Sequence, residues 1–172
     1  MTGKPFLQDP PVPLAFNIAH SGSLAVCALA DVRAVGVDVE PIERPELTPA
    51  LLHDLLAPAE RSRLDLLSGA ALQEALVALW TGKEAIAKAH GGGLGLPLDR
   101  LIVPAEEGAV AMNAIADATP AVWRLHRLRP DDRHRIALVL AMAPEAPMEI
   151  RCMEALQLLR DLLPVEAMAG SA

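Results

Sequence analysis

The sequence predicts an α+β fold, in which an antiparallel sheet packs against one long helix. Two observations support this prediction. Short apolar segments bounded by turn residues begin at residue 14 and return after residue 100, as the strands of a sheet do. Between these two groups of segments, leucine and isoleucine occur at helical spacing over about residues 70–89, and three consecutive glycines follow.

Before the long helix, strands are expected at residues 14–18, 24–30 and 34–39, which look like a small meander. Two short helices should follow. Thr48 is a suitable N-cap with Pro49 at the first helical position, and residues 59–67 are amphipathic. After the long helix, strands are expected at residues 101–103, 109–115, 121–128 and 135–143, either as a second sheet or as an extension of the first. Residues 148–163 predict a final helix with one apolar face.

Composition excludes several classes of protein. The chain has 172 residues, of which 52% are apolar, enough to fill the core of one domain. Its 22 acidic and 15 basic side chains give a net charge of −7, which argues against a broad nucleic-acid-binding surface. No stretch approaches the roughly 20 uninterrupted apolar residues of a membrane span. We therefore expect neither nucleic acid nor membrane as a partner.

The two cysteines and residues 1–13 provide evidence about the cellular location of the protein. Cys27 and Cys152 lack the spacing of a zinc site, and so few cysteines do not make a disulfide framework. Prolines interrupt residues 1–13 where an export signal needs a continuous apolar stretch. A cytoplasmic location fits these observations best.

Asp38 and Glu40 are candidate ligands of a hard divalent cation. Valines alternate with Gly36, Asp38 and Glu40 in the third expected strand, so both carboxylates share one face. Carboxylate pairs of this kind bind Mg²⁺ through oxygen. On spacing alone, a solvated strand face explains such a pair more often than a metal does.

The long helix offers a second acidic group. The side chains of Trp80, Glu84 and Lys88 are four residues apart, so they lie along one stripe of the helix surface. An ordinary surface pair of glutamate and lysine is the alternative reading. His20, expected in a turn after a strand, and Lys4 are candidate phosphate ligands, although neither indicates function by itself.

Together, these segments resemble the three ordered motifs of 4′-phosphopantetheinyl transferases, the Sfp-type group in particular. The resemblance rests on residues 16–22, 36–40 and 80–88, with further similarity at residues 59–61 and 93–98. It implies a Mg²⁺-dependent holo-[acyl-carrier-protein] synthase with the fold of that superfamily. Such an enzyme moves the phosphopantetheine arm of coenzyme A to a serine of an apo carrier protein and releases adenosine 3′,5′-bisphosphate.

The resemblance also implies roles for individual residues. Asp38, Glu40 and Glu84 would bind Mg²⁺, Lys4, His20 and Lys88 would bind coenzyme A, and Glu84 and Lys88 would be catalytic, with Glu84 removing the serine proton. Ala19 stands where the family often has serine, so one hydroxyl contact to coenzyme A is missing. Lys83 belongs to the third motif, but no contact can be assigned to it.

Sfp-type proteins have two similar lobes, whereas the first motif here begins at residue 16. We therefore expect one full lobe and a remnant of the other. The expected division is residues 1–33 for the remnant with the histidine motif, 34–147 for the transferase domain, and 148–172 for a C-terminal helix and tail. The missing lobe would leave an unpaired sheet edge and apolar surface exposed, which a homo-oligomer would cover. The alternatives are that Met1 is not the natural start of the chain, or that the chain is a decayed remnant.

Two other functions remain open at this stage. A catalytically idle homologue acting in binding or assembly would not modify a carrier protein. A metal-dependent diphosphate hydrolase would cleave coenzyme A without any carrier. Five arginines, Arg124, Arg127, Arg129, Arg133 and Arg135, are either a docking edge for an acidic carrier or, more often for such a set, a solvated basic edge.

Overall fold

The computed structural model of the protein describes residues 7, 14–111 and 122–157, except for the side chain of residue 94. Its strands are β1 (Ala15–Ser21), β2 (Leu24–Ala30), β3 (Ala34–Pro41), β4 (Gly108–Val110), β5 (Val122–Leu128) and β6 (His134–Met142). Its helices are α1 (Pro49–Leu52), α2 (Pro58–Leu64) and α3 (Gly69–His90), with short 3-10 turns at His53–Leu55, Gly93–Gly95 and Leu98–Arg100. The predicted α+β class, with antiparallel strands packed against a long helix, is confirmed.

The described elements form three layers. A four-stranded antiparallel sheet of order β3-β6-β5-β4 lies in the middle, and β1 and β2 form a separate hairpin. One apolar cluster joins α3 to the sheet through residues such as Ile86, Leu125 and Val139. A second cluster joins the opposite face of the sheet to the hairpin, and it includes Val37 and Leu138. The middle sheet is therefore covered on both faces.

The predicted meander of the first three strands is wrong. β3 pairs with β6, about a hundred residues later, so that Val37 lies opposite Leu138. Instead of strand pairing, Asn17 of β1 accepts a 2.9 Å hydrogen bond on its side-chain oxygen from the backbone N–H of Val37. The reason is that valines and leucines of β3 and β6 share one buried cluster, and such long-range pairing leaves no local signal.

α3 confirms the predicted long helix. Leu76, Leu79 and Ile86 are each at most 1% exposed, as their helical spacing requires. The helix ends at Gly91, whose φ of 86° is the left-handed conformation of a C-cap. In α1 the hydroxyl oxygen of Thr48 accepts a hydrogen bond from the backbone N–H of Leu51, so the predicted N-cap is confirmed as well.

Residues 101–103 do not form the predicted strand. Leu101 and Val103 are fully buried, but their backbone groups bond to side chains. The carbonyl of Leu101 accepts from Nζ of Lys83, and the N–H of Val103 donates to Glu60. Buried side chains thus replace the strand partner that an apolar segment suggests.

The predicted final helix is wrong over residues 148–154, which are not helical, and a helical turn is described only at residues 155–157. Ile150 packs instead on the cluster between sheet and hairpin. Residues 158–163 of that prediction, and 112–115 of the strand predicted at 109–115, lie outside the described residues. The predicted domain boundaries at residues 34 and 148 stay predictions.

Among the described helices, none combines the length and apolar character needed to cross a membrane. Cys27 and Cys152 are both free and exposed.

Candidate active site

The carboxylates of β3 lie on the face of the sheet that α3 covers. Lys88 and Trp80 of α3 contact Asp38 and Glu40 respectively. The intervening valines pack on the hairpin side, because successive strand side chains point to opposite faces. The prediction that both carboxylates share one face is confirmed.

α3 passes directly over Gly36 of β3. A Cβ placed on this glycine would lie 2.1 Å from the carbonyl oxygen of Ala85 and 2.3 Å from the amide nitrogen of Ala89. Only a residue without a side chain permits so close an approach. The helix and strand backbones therefore meet at the point where Glu84 and Lys88 flank the strand carboxylates.

Asp38 is buried, with 6% of its surface exposed. Its Oδ1 accepts a 2.6 Å hydrogen bond from Nζ of Lys88, whereas its buried Oδ2 has no hydrogen-bond partner among the described residues. Burial raises the pKa of Asp38 from 3.8 to about 6 despite the opposing effect of Lys88, and the charges of Glu40 and Glu84 add to the rise. This carboxylate is thus incompletely neutralised by the protein itself.

Glu40 is held by donors from three parts of the chain. Its Oε1 accepts a 3.0 Å hydrogen bond from the indole Nε1 of Trp80 and pairs with the guanidinium of Arg44. Its Oε2 accepts a 3.2 Å hydrogen bond from the hydroxyl of Ser21 in β1. Hairpin, sheet and long helix therefore converge on this one side chain.

Glu84 lies one helical turn before Lys88 and is partly buried. Burial raises its pKa, Lys88 opposes the rise, and the charge of Glu40 adds to it. Since Asp38 also responds to the charges of Glu40 and Glu84, the three predicted carboxylates lie within electrostatic reach of one another. Their like charges account for part of the raised pKa values.

His20, a candidate phosphate ligand, is not brought to this cluster. His20 lies within β1 and not in the predicted turn, because the strand continues to Ser21. It is exposed, and strand alternation points it away from the face on which Ser21 reaches Glu40. Lys4 lies outside the described residues.

The fit of a metal ion can be tested on these side chains. In the part of the chain that the structure describes, no group of three or more His, Cys, Asp or Glu side chains is close enough to hold one. Lys88 and Arg44 are paired with Asp38 and Glu40 instead. The donor chemistry nevertheless fits Mg²⁺, which prefers carboxylate oxygens, and Oδ2 of Asp38 is a buried oxygen without a partner.

The profile of the 4′-phosphopantetheinyl transferase superfamily matches residues 34–139, which run from the start of β3 into β6 and hold all three carboxylates. The chain belongs to this superfamily. The family resemblance inferred from the three motifs is therefore confirmed.

Individual members of the superfamily show the same relationship. The 4′-phosphopantetheinyl transferase HetI of Nostoc sp. is 33% identical over 144 residues, covering 81% of this chain and 57% of HetI. The 4′-phosphopantetheinyl transferase Sfp of Bacillus subtilis is 30% identical over 156 residues, covering 86% of this chain and 63% of Sfp. The chain thus spans between about half and two thirds of the length of these relatives.

Among solved structures, a holo-(acyl-carrier-protein) synthase from Bacillus anthracis matches 64% of this chain and 96% of its own, with a TM-score of 0.47 and 19% identity. A likeness this distant carries no argument about the site.

Sequence reasoning missed several contacts of this phosphopantetheinyl transferase homologue. Neither Ser21 nor Arg44 is a candidate on sequence grounds, yet both bind Glu40. Neither has a local signal, because each contact joins positions brought together by tertiary packing. Lys83, which had no assigned contact, forms a buried ion pair with Glu60.

Part of the expected basic edge has a structural function. The guanidinium of Arg127 donates to the carbonyl oxygens of Ala78 and Pro104, and Arg135 donates to Glu74. Arg129 also pairs with Glu74. Arg127 and Arg135 are therefore anchored within the fold, which contradicts both a docking role and a solvated edge for them.

Proposed function

We propose that the protein transfers the 4′-phosphopantetheine arm of coenzyme A to a serine of an apo acyl or peptidyl carrier protein, releasing adenosine 3′,5′-bisphosphate. The observation that carries the proposal is the gathering of Asp38, Glu40, Glu84 and Lys88 where α3 meets β3. This cluster lies inside the region that matches the superfamily. The matching relatives are named for transfer of the same group.

In the proposed reaction, the serine oxygen forms a bond to the phosphorus that carries the pantetheine arm. The bond from that phosphorus to the bridging oxygen of the diphosphate breaks, and adenosine 3′,5′-bisphosphate leaves. Glu84 accepts the serine proton, a role to which a carboxylate with a raised pKa is suited. Lys88, an ammonium at the same site, stabilises negative charge on the phosphate oxygens.

We further propose Mg²⁺ as the cofactor, held by Asp38, Glu40 and Glu84. When bound, it would neutralise charge on the diphosphate. The support is the donor chemistry of the three carboxylates and the unpartnered Oδ2 of Asp38. Lys88 would bind phosphate, while Trp80, Arg44 and Ser21 hold Glu40 in place.

The remaining expectations belong to the same proposal. His20 and Lys4 bind coenzyme A, and the protein acts in the cytoplasm, where its two free cysteines stay reduced. Neither nucleic acid nor membrane is a partner. A homo-oligomer covers the outer face of the β1–β2 hairpin, where the apolar side chains of Ile18 and Leu29 are exposed.

The decisive experiment incubates the protein with coenzyme A, Mg²⁺ and an apo carrier protein, and measures the mass of the carrier. The expected result is a gain of one phosphopantetheine group that disappears when the metal is chelated or the acceptor serine is replaced by alanine. No gain at high enzyme concentration would sink the proposal. Cleavage of coenzyme A without a carrier would indicate a hydrolase instead.

Glu84→Gln tests the assigned role of this carboxylate. We expect kcat to fall by on the order of 10²- to 10⁴-fold, because the amide cannot accept the serine proton. Glu154→Gln is the matched control, since Glu154 is exposed and distant in sequence from the cluster. Equal activity of the two variants contradicts the role proposed for Glu84.

A further inference from the structure

Lys83, a residue of the third motif, is one of the most deeply buried side chains described. It is 1% exposed, and its Nζ lies 2.8 Å from Oε2 of Glu60. The same ammonium donates to the carbonyl oxygens of Leu98 and Leu101 at 2.8 and 2.9 Å. All three of its N–H bonds therefore have acceptors inside the protein.

Glu60 completes the network from the other side and is also 1% exposed. Its Oε2 accepts a 2.8 Å hydrogen bond from the backbone N–H of Ala57, which caps α2. Its Oε1 accepts another of 2.8 Å from the N–H of Val103. The Lys83–Glu60 pair thus connects the start of α2, the middle of α3 and the segment of residues 98–103.

Stability alone does not explain such a pair. Burying two charges costs desolvation free energy, and apolar side chains of similar size often stabilise a fold equally well or better. A fully bonded buried network instead specifies one arrangement of the segments that it joins. The arrangement specified here is the position of α3 relative to residues 98–103.

The pair acts beside the candidate site. Glu84 directly follows Lys83, and two close contacts flank this part of α3, one with a backbone and one with a side chain. On one side α3 meets β3 at Gly36. On the other side, a Cβ placed on Gly82 would lie 2.6 Å from Cγ1 of Val103, in the segment that Lys83 and Glu60 hold. Any shift of α3 away from that segment would move Glu84 relative to Asp38.

We propose that Lys83, paired with Glu60, is a positioning residue that fixes α3 against residues 98–103 and so places Glu84 opposite the carboxylates of β3. The proposal rests on the proposed transferase function. Lys83 contacts neither Asp38 nor Glu40 but bonds to groups away from them, so it acts through α3.

The test compares Lys83→Met with the double variant Lys83→Met/Glu60→Gln. Methionine matches the length of lysine without its charge, and glutamine removes the buried carboxylate that Lys83→Met leaves unpaired. Thr81→Ala is the matched control, because Thr81 is fully buried in α3 but bonds only to carbonyls of its own helix, those of Val77 and Ala78.

Two readouts separate positioning from stability. The first is kcat, with KM for coenzyme A, measured well below the midpoint of thermal unfolding. The second is the fluorescence of Trp80 in a Trp123→Phe background, since Nε1 of Trp80 bonds to Glu40 across the contact of α3 with β3. This second readout does not depend on enzyme activity.

We expect the double variant to unfold at a higher temperature than Lys83→Met. In both variants kcat should fall on the order of 10- to 100-fold with little change in KM, because a small misplacement of reacting groups slows the reaction. Their Trp80 emission should shift. Thr81→Ala should lower the unfolding temperature and keep both kcat and emission.

A folded double variant with wild-type kcat and emission overturns the proposal. So does loss of the fold in both lysine variants, because the pair would then support the whole domain instead of placing α3. If the wild-type protein modifies no carrier while Trp80 emission still responds to Lys83→Met, the proposed function fails and the positioning role stands.

Discussion

At the scale of single residues, the candidate site carries more buried negative charge than its neighbours neutralise. Lys88 donates to one oxygen of Asp38, while the other oxygen is buried and finds no partner in the part of the chain that the structure describes. Burial is the largest cause of the raised pKa of this carboxyl, and the like charges of Glu40 and Glu84 add to it. The folded state without a cation therefore opposes ionisation of Asp38, whereas the unfolded chain does not.

This difference predicts that the metal-free protein is more stable in weak acid. The pKa of Asp38 is 3.8 in the unfolded chain and about 6 in the folded state, so the folded state binds the proton more tightly. Stability should fall as the pH rises from about 4 to 6 and stay lower above that range, with a contribution of up to roughly 3 kcal/mol.

Urea unfolding at pH 5 and pH 7.5 in the presence of a chelator measures the effect. Asp38→Asn should remove most of the pH dependence, because the amide does not ionise. Asp54→Asn is the control, since the side chain of Asp54 is 97% exposed. The same pH dependence in wild type and Asp38→Asn contradicts the prediction, whereas added Mg²⁺ should stabilise the wild type most at pH 7.5.

At this scale the sequence predicts which acidic residues meet but not what surrounds them. Alternation in β3 predicts that Asp38 and Glu40 share one face, and the resemblance to the family implies that Glu84 joins them; in the structure the three carboxylates lie within electrostatic reach of one another. The donors to Glu40 from Ser21 and Arg44 follow from packing between layers, which no local pattern encodes. The burial of Lys83 is likewise not predictable from the local sequence, because its partner Glu60 lies on another helix.

At the scale of elements, the crossing of α3 and β3 positions the site. The long helix is predictable from its apolar period and its glycine C-cap. The structure of residues 101–103 is not predictable in this way. The segment is as buried as a strand, but side chains form the hydrogen bonds with its backbone groups. Pairing of β3 with β6 also escapes prediction, since α1, α2 and α3 all lie between these two strands in the sequence.

Gly36→Ala tests the crossing. The added methyl group would meet the backbone of α3 at Ala85 and Ala89, which cannot move aside as a flexible side chain would. We expect a loss of roughly 3 kcal/mol or more of unfolding free energy, or a displaced helix with greatly reduced transferase activity.

Gly108→Ala is the matched control, because Gly108 also lies in a strand and a Cβ there meets no atom within 4 Å. Its unfolding free energy should stay within about 0.5 kcal/mol of the wild type. Similar losses of unfolding free energy in the two variants would show that the close approach of α3 to Gly36 does not restrict the side chain at this position.

At the scale of the whole molecule, the described layers leave one apolar face uncovered. The inner side of the β1–β2 hairpin packs on the sheet through residues such as Ala19. On its outer side, Ile18 is 52% and Leu29 is 60% exposed. Apolar surface is therefore exposed on the outer side of the hairpin, a location that the sequence does not indicate.

Exposed apolar side chains of this kind favour self-association. We expect Ile18→Thr combined with Leu29→Thr to leave the unfolding free energy nearly unchanged, because neither side chain is in the core and threonine suits a strand. Light scattering over a concentration series should then show less association than for the wild type.

Ala19→Thr is the control on the inner side of the hairpin, where Ala19 is only 4% exposed and a larger side chain has no room. This substitution should lower the free energy of unfolding by about 1–3 kcal/mol. A double variant that is strongly destabilised, or that associates as the wild type does, would show that the outer face of the hairpin does not drive association.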